Sequence, residues 1–332
     1  MVNVKIFDSL DAVARDAEGA LDRARQAKIY DRLDWFRLTE AHIAQSGKPL
    51  IARALNAGGT AWLFLRETAP GRAEGLGSWY TLDYDAIRTG TSPDVLGAIP
   101  DALRELTEIN LYPVNDPAPI AEAFRGAGWK VRVTRASVNW LIDPPASFDE
   151  YWAGRPGKLR NTVKRKAKKA GLEIAIHRAF DESAWRDYET IYARSWKGEE
   201  GSPAFLRALA QQEGEAGTLR LGVAYREGAP VAAQFWLVEN GHATIHKLAY
   251  DESAKELSPG SILGEAMFRH VIERDAPKQI DYGTGDEPYK AEWMARARPL
   301  YRIEMLNPRQ PRAWPKLARR AVSGLVRRPT SD

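Results

Sequence analysis

The chain has 332 residues, 44% of them hydrophobic, with 11 Trp, no Cys and a formal net charge of +4. That length suggests two domains with real cores, and the missing thiols exclude disulfides, thiolate metal sites and a Cys nucleophile. No apolar stretch approaches the ~20 residues a membrane-spanning helix needs, and the N-terminus lacks the basic-then-apolar pattern of a secretory signal, so a cytoplasmic protein is expected.

The first half reads as α/β. Residues 4–7 form a strand, followed by a helix over 9–27 and the aromatic segment 30–38. Strands at 49–55 and 61–66 are joined by a hairpin turn, Asn56-Ala57-Gly58-Gly59, and a further strand covers 78–82. Ser92 as N-cap and Pro93 as first helical residue open a helix to 107. A strand at 109–114, a helix at 117–127 stopped by Gly128, and a long strand at 130–142 complete the half. Asp143-Pro144-Pro145 is the strongest boundary signal. It divides the chain into an N-terminal lobe, 1–145, a C-terminal lobe, 146–308, and a basic tail, 309–332.

Beyond the prolines, the pattern predicts a basic helix over 148–170, a strand at 172–177 and helices at 182–196 and 203–212. Three strands follow, 218–226, 230–239 and 242–250, linked by Glu227-Gly228 and Asn240-Gly241; Asn-Gly is a strong hairpin signal. A helix at 259–274, a strand at 279–283 and a last strand at 298–306 close the lobe. The halves share an order of elements, which hints at a duplicated architecture.

Basicity is concentrated. Residues 158–169 carry seven bases and no acid, residues 306–331 carry another seven and no acid, and the remainder is net acidic. This suggests two anionic contacts rather than a surface that coats nucleic acid, and no DNA partner is expected. The helix has Leu159, Val163, Ala167 and Ala170 at helical spacing, so its bases either are merely solvated or dock an anionic carrier: an acyl carrier protein, tRNA, CoA phosphates or a membrane. In the tail, Trp314, Leu317, Ala321 and Leu325 line one face, which admits a peripheral contact with the inner face of a membrane as well as packing on its own domain.

Chemistry concentrates at Asp281-Tyr-Gly-Thr-Gly-Asp-Glu-Pro-Tyr-Lys290-Ala-Glu-Trp293. Gly283 and Gly285 permit positive φ, and Asp286, Glu287, Tyr289 and Lys290 exceed what a structural turn needs, although a solvated charged loop has the same composition. The helix that begins at Pro259 offers free N–H groups to an anion, with Ser258, Gly260 and Ser261 small enough for close approach and Lys255 nearby; Ser258 read simply as an N-cap fits equally well. His246 and Lys247 lie in an apolar strand, where alternation places His246 with Leu248 and Ile245 with Lys247. No His, Asp or Glu spacing suggests a metal site.

The strings Tyr151-Trp-Ala-Gly-Arg-Pro-Gly-Lys-Leu-Arg-Asn-Thr-Val-Lys-Arg-Lys166, Lys247-Leu-Ala-Tyr-Asp251 with Leu257-Ser-Pro-Gly260, and Asp281 to Lys290 resemble the CelD-like branch of the GNAT acyltransferases, related to Fem-type peptidyltransferases. The resemblance covers about 148–308 strongly and 1–145 weakly. It implies tandem GNAT-like lobes, each a central mixed, largely antiparallel sheet flanked by helices. It implies an acyl thioester, from acyl-CoA or an acyl carrier protein, lying against the backbone of Lys247, Leu248 and Ala249 with its pyrophosphate at Lys255–Ser261. The donor would be attacked directly by an amine-bearing acceptor, with no metal.

Where such enzymes carry Gln/Arg-x-x-Gly-x-Gly/Ala, this chain has Lys255-Glu-Leu-Ser-Pro-Gly260-Ser, with fewer N–H donors. A protein-bound thioester or an aminoacyl-tRNA therefore stands beside CoA as donor. Tyr289-Lys290 matches the Fem-type pair whose Lys meets an anionic group. For that reaction Asp286 is the first candidate base and His246 the second, Lys290 and strand N–H groups are the candidates to stabilise the oxyanion, and Tyr289 could protonate the leaving thiolate. Fem-type transfer from tRNA and a non-catalytic scaffold in polysaccharide biosynthesis are the rival expectations.

Overall fold

A computed structural model describes residues 2–44, 46–90 and 93–326. The chain forms two compact units, Met1–Ser137 with Pro299–Asp332, and Val138–Arg298.

In the first unit, β1 (Asn3–Phe7), β2 (Lys48–Asn56), β3 (Gly59–Ala69) and β4 (Arg72–Gly75) are antiparallel neighbours. β5 (Ile87–Gly90) pairs with β3, and β6 (Glu108–Val114) runs parallel to β4 over three residues. The expected turn at 56–59 is present, with Asn56 opposite Gly59. Residues 78–82 are not the expected strand. The Ser78 N–H donates to Thr81 Oγ1 at 3.0 Å and the Tyr80 N–H to Ser78 Oγ at 3.2 Å. Such local side-chain bonds compete with strand pairing. The helix predicted over 9–27 stops at Ala17, where Glu18 (φ 46°) and Gly19 (φ 82°) turn left-handed. The helix predicted to 107 is a 3-10 turn, Pro93–Ala98, and a short helix, Ile99–Ala102, interrupted by Pro100. Its predicted N-cap, Ser92, lies outside the described residues.

β7 (Lys130–Ile142) is one long strand, as predicted, and residues 138–142 belong to the second unit. There β8 (Leu172–His177), β9 (Leu219–Arg226), β10 (Ala229–Glu239) and β11 (His242–Tyr250) form an antiparallel meander. β12 (Gln279–Thr284) lies parallel to β11 and antiparallel to the end of β7. The Glu227-Gly228 turn (φ 51° and 79°) and the Asn240-Gly241 turn (φ 51° and 77°) are two-residue hairpins with both residues left-handed. The basic helix expected over 148–170 is two helices, Phe148–Ala153 and Gly157–Ala170. Pro156 disfavours helical backbone at the residue before it and separates them.

β13 (Arg296–Leu306) pairs antiparallel with β6 in the first unit. Each unit thus repeats one pattern: a meander, a helical crossover, a strand parallel to the meander's last strand, and an antiparallel neighbour to that strand. This is α/β architecture in tandem, with mixed sheets flanked by helices. The predicted tail is a helix, Trp314–Val326, on which Lys316 pairs with Glu108 and Arg320 with Glu304 at 3.2 Å. The side chain of Leu325 and all of residues 327–332 lie outside the described residues.

The core of the second unit is aromatic. Tyr151 stacks on Phe268 at 5.0 Å, Phe268 stacks on Trp293 at 5.1 Å, and Trp236 meets Phe268 edge-on. A buried ion pair closes the far end: Arg220 Nε and Nη2 reach Asp275 at 3.0 and 2.6 Å, with Nη1 on the carbonyls of Gly217 and Leu219. Removing one partner of such a pair strands a buried charge, at a cost of about 3–5 kcal/mol. Arg220→Ala is expected to lower unfolding stability by that amount in a urea titration, and Arg220→Lys, which cannot reproduce the bidentate fork, by less.

Candidate active site

β11 and β12 pair only at His242–Thr244 with Gln279–Asp281. Beyond that point β11 continues to Tyr250 and β12 to Thr284, so the strands part and one edge of β11 is left without a strand. A cavity of about 730 Å³ opens at the parting, between Leu248 and Tyr250 on β11 and Tyr282 and Tyr289 on the other side. Its far end is the turn into the helix Pro259–His270, where Lys255, Ser258, Gly260 and Ser261 all line it.

That turn is shaped by its backbone. Ser258 is the N-cap but sits left-handed (φ 56°, ψ 47°), with no side-chain cap bond. A non-glycine residue there costs roughly 1–2 kcal/mol. Pro259 has no N–H, and the Gly260 N–H, in the first turn, has no intrahelical acceptor. The Gly260 carbonyl accepts from Gln234 Nε2 at 3.2 Å, and Gln234 Oε1 in turn accepts from Trp236 Nε1 at 2.9 Å. Lys166 of the basic helix lines the same cavity and donates to the Glu256 carbonyl. A Cβ on Gly260 would meet Tyr250 Cδ1 at 3.1 Å, so glycine keeps the mouth open.

The Gly-rich turn is held at both ends. Gly283 (φ 76°) and Gly285 (φ 119°) adopt the predicted positive φ. Asp281 accepts from the Gly283 N–H at 2.7 Å and from Asn139 Nδ2 at 3.1 Å, and the Gly285 N–H donates to the Val138 carbonyl at 2.9 Å. Past the turn, Tyr151 Oη and Arg155 Nη1 donate to the Trp293 carbonyl at 3.0 and 2.9 Å. Lys290 is therefore buried, donating to the Thr284 carbonyl at 2.6 Å and paired with Glu287 at 2.9 Å. Burial works against the Glu287 carboxylate, but the Lys290 ammonium outweighs it and holds the carboxyl below its ordinary range. Tyr289 packs edge-on to Tyr282 at 5.8 Å, and burial followed by the Glu287 charge pushes its phenol up to about 12. Asp286 is exposed and is not among the side chains lining the cavity.

Alternation along β11 is broken by a bulge. Phe235 pairs with Lys247 and Trp236 with Ile245, so His246 is the extra residue. This corrects the expected faces: Ile245 and Leu248 share the core with Trp236 and Phe268, while His246 packs edge-on to Phe235 at 5.4 Å. Burial pushes the His246 imidazole down to about 3, which keeps it neutral. Ala249 is buried opposite Ala233.

Lys247 pairs with Glu200 at 2.8 Å and lies 5.4 Å over the Tyr192 ring. Sequence reasoning missed this neighbourhood. Lys197 joins it, 5.5 Å over Trp196, and the Trp196 ring packs at a tilt, 4.5 Å from Tyr250, in the cavity wall. Burial, and then the like charges of Lys247 and Lys290, lower the Lys197 ammonium to about 8 against the pull of Glu200 and Glu287. A second cavity of about 620 Å³, walled by Trp185, Tyr188, Tyr192 and Leu206, reaches Glu200 between the helices Glu182–Ala193 and Pro203–Glu215. The signal was present in Trp196-Lys-Gly-Glu-Glu-Gly201, which is denser in glycine and charge than the 281–290 turn.

The first unit has the same strand pattern without the opening. β4 extends only one residue, Gly75, past its pairing with β6. Tyr84 fills the space beyond: its N–H donates to the Pro113 carbonyl at 2.7 Å, its hydroxyl to the Phe64 carbonyl, and a Cβ on Gly75 would lie 2.8 Å from its ring. Among the described residues no cluster of His, Asp and Glu could hold a metal.

Residues 157–291 match the acetyltransferase (GNAT) domain family. No curated protein matches the chain. Among solved structures, it is similar to the C-terminal DUF2156 domain of a putative lysylphosphatidylglycerol synthetase from Agrobacterium fabrum, at 14% identity over 95% of this chain and 96% of that one, TM-score 0.57. It is also similar to FemX, at 10% identity over 82% and 96%, TM-score 0.56. A tandem GNAT protein from the clavulanic acid biosynthesis pathway aligns at 12% identity over 91% and 98%, TM-score 0.51. At these identities the likeness is one of fold. The fold is that of the GNAT superfamily of acyltransferases, in tandem lobes, with the open strand pair in the lobe that the family match covers.

Proposed function

We propose that the second unit transfers an acyl group from a thioester to an amine by direct attack. The observation that carries this reading is the parting of β11 from β12 into a cavity that ends at a helix N-terminus. The free edge of β11 at Lys247, Leu248 and Ala249 suits the amide-rich arm of a thioester such as acyl-CoA or an acylated carrier protein. The turn Lys255–Ser261 suits its phosphate. The aromatic cavity that reaches Glu200 suits the apolar body of the amine.

The attacking amine must lose a proton. We assign its acceptance to Lys197, half-buried, 5.5 Å over the Trp196 ring of the cavity wall and lowered to about 8, rather than to the exposed Asp286 or the buried His246. Two of the three Lys290 N–H donors are used by Thr284 and Glu287, and the third is assigned to the oxyanion. As the C–N bond forms and the C–S bond breaks, the amine proton passes to Lys197. The thiolate takes the proton of Tyr289, whose phenol stays protonated at neutral pH and is restored from solvent.

Native mass spectrometry with acetyl-CoA, decanoyl-CoA and an acylated carrier protein, followed by a thiol-release assay over a panel of primary amines, tests the reading. A thioester complex and thiol release are expected, and silence from every thioester would sink the proposal. Lys290→Met is expected to lower kcat about 10²–10³-fold, the usual loss for one oxyanion donor. Unchanged turnover would remove Lys290 from the mechanism.

The pH dependence has a definite sign. Lys197 accepts a proton only when neutral, so kcat at saturating amine should fall about tenfold per pH unit below about 8 and level off above it. Lys197→Met should lower kcat and flatten that limb. A limb that survives the substitution would assign the titration to another group.

A further inference from the structure

The helix Gly157–Ala170 carries Lys158, Arg160, Lys164, Arg165, Lys166, Lys168 and Lys169, and no acid. Six of these seven are exposed; Lys166 alone is half-buried and turned to the Glu256 carbonyl at the cavity. Among the described residues none of the seven is ion-paired to a carboxylate, whereas bases elsewhere on the unit commonly are: Arg194 with Asp251, Arg207 with Glu182, Arg269 with Glu265, Arg296 with Asp143. Arg160 and Lys164, Lys164 and Lys168, and Arg165 and Lys169 are i,i+4 like-charge pairs, each of which destabilises an isolated helix. The uncompensated row leaves its charge free to meet an external polyanion.

The position narrows what that polyanion is. The helix is about 21 Å long at 1.5 Å per residue, the reach of one partner helix. Its inner side packs on the core through Leu159 and Val163 and meets the thioester cavity through Lys166. The cavity itself is poorly furnished for a nucleotide: one glycine in the phosphate turn, a proline without an N–H, and three carboxylates, Glu252, Glu256 and Glu292, against two ammonium groups, Lys166 and Lys255, in its lining. These carboxylates oppose the entry of a polyphosphate or an RNA end. They do not oppose an uncharged amide arm whose single phosphate stays at the mouth.

We propose that the exposed face of this helix docks an acidic acyl carrier protein, whose phosphopantetheine arm delivers the thioester into the cavity between β11 and β12. The proposal rests on the acyl-transfer reading and specifies its donor. The docking step forms no bond; attraction between the basic row and carboxylates of the carrier raises the encounter rate, and the arm supplies the reacting carbonyl.

The test compares one acyl group on three donors, a purified acidic acyl carrier protein, CoA and N-acetylcysteamine, in the wild type and in the K164E/R165E/K168E variant, none of whose positions lies in the cavity. For the wild type, kcat/KM is expected to be highest on the carrier and to fall steeply between 50 and 300 mM salt, about the screening range of surface charge. The variant should lose about 10–10³-fold on the carrier, the span of electrostatic steering, and keep its rate on N-acetylcysteamine. Equal losses on all three donors, or none on the carrier, would overturn the proposal. Carrier binding measured by calorimetry keeps the two claims separable. Charge-dependent binding without turnover on any donor would refute acyl transfer but retain the docking face. Absence of carrier binding, or displacement of the carrier by tRNA at equal concentration, would refute the docking face whatever the turnover.

Discussion

Two neighbouring strands that stop pairing organise the second unit. A parallel pair that ended together would satisfy its own backbone and bury its edge. Here β11 runs six residues past Thr244, the last that β12 pairs, and the exposed edge needs partners from elsewhere. The surroundings keep the gap from collapsing. Trp236 and Gln234 fix the helix N-terminus on one side, while Asn139, Asp281 and the Trp293 anchor fix the Gly-rich turn on the other. Strain at Ser258 and the bulge at His246 are local costs of the same opening, offset by the aromatic core beneath.

The first unit shows what the pattern does when the gap is closed. Its β4 ends almost where its pairing ends, and Tyr84 occupies the space that is a cavity in the second unit. The two lobes therefore share strand order yet differ in whether a cavity opens between the parallel strands. Strand order alone is a weak guide to chemistry, and the side chain that fills or vacates a strand gap is a better one.

Much of this was legible in the sequence. Two-residue turns with Gly read correctly because positive φ leaves few residue choices, and the long strand 130–142 read correctly because its apolar end runs to Pro144. The failures have separate physical causes. Ser78 and Thr81 satisfied their own backbone, Pro100 and Pro156 broke helices that side-chain spacing alone would have continued, and the bulge at His246 reversed the alternation that had placed Lys247. At the site, Lys290, Tyr289 and the 255–261 turn could be singled out because they are dense in sequence. Lys197 and Glu200 sit in an equally charged, Gly-bearing stretch, but what joins them to Lys247 and Lys290 is a tertiary meeting of a loop with a strand and a turn, which the sequence does not show.

One feature of β7 bears on how this protein can be divided. The residues that steady the Gly-rich turn, Val138 and Asn139, lie before Pro144, at the end of a strand whose first part belongs to the other unit. The second lobe has therefore borrowed its last strand from upstream, just as the first takes β13 from downstream. The second unit is a contiguous run only when counted from Val138, and the first is closed by chain from Pro299 onward. A fragment of the second unit cut at the prolines would therefore lose the two residues that brace its Gly-rich turn, whereas one begun before Val138 would keep them.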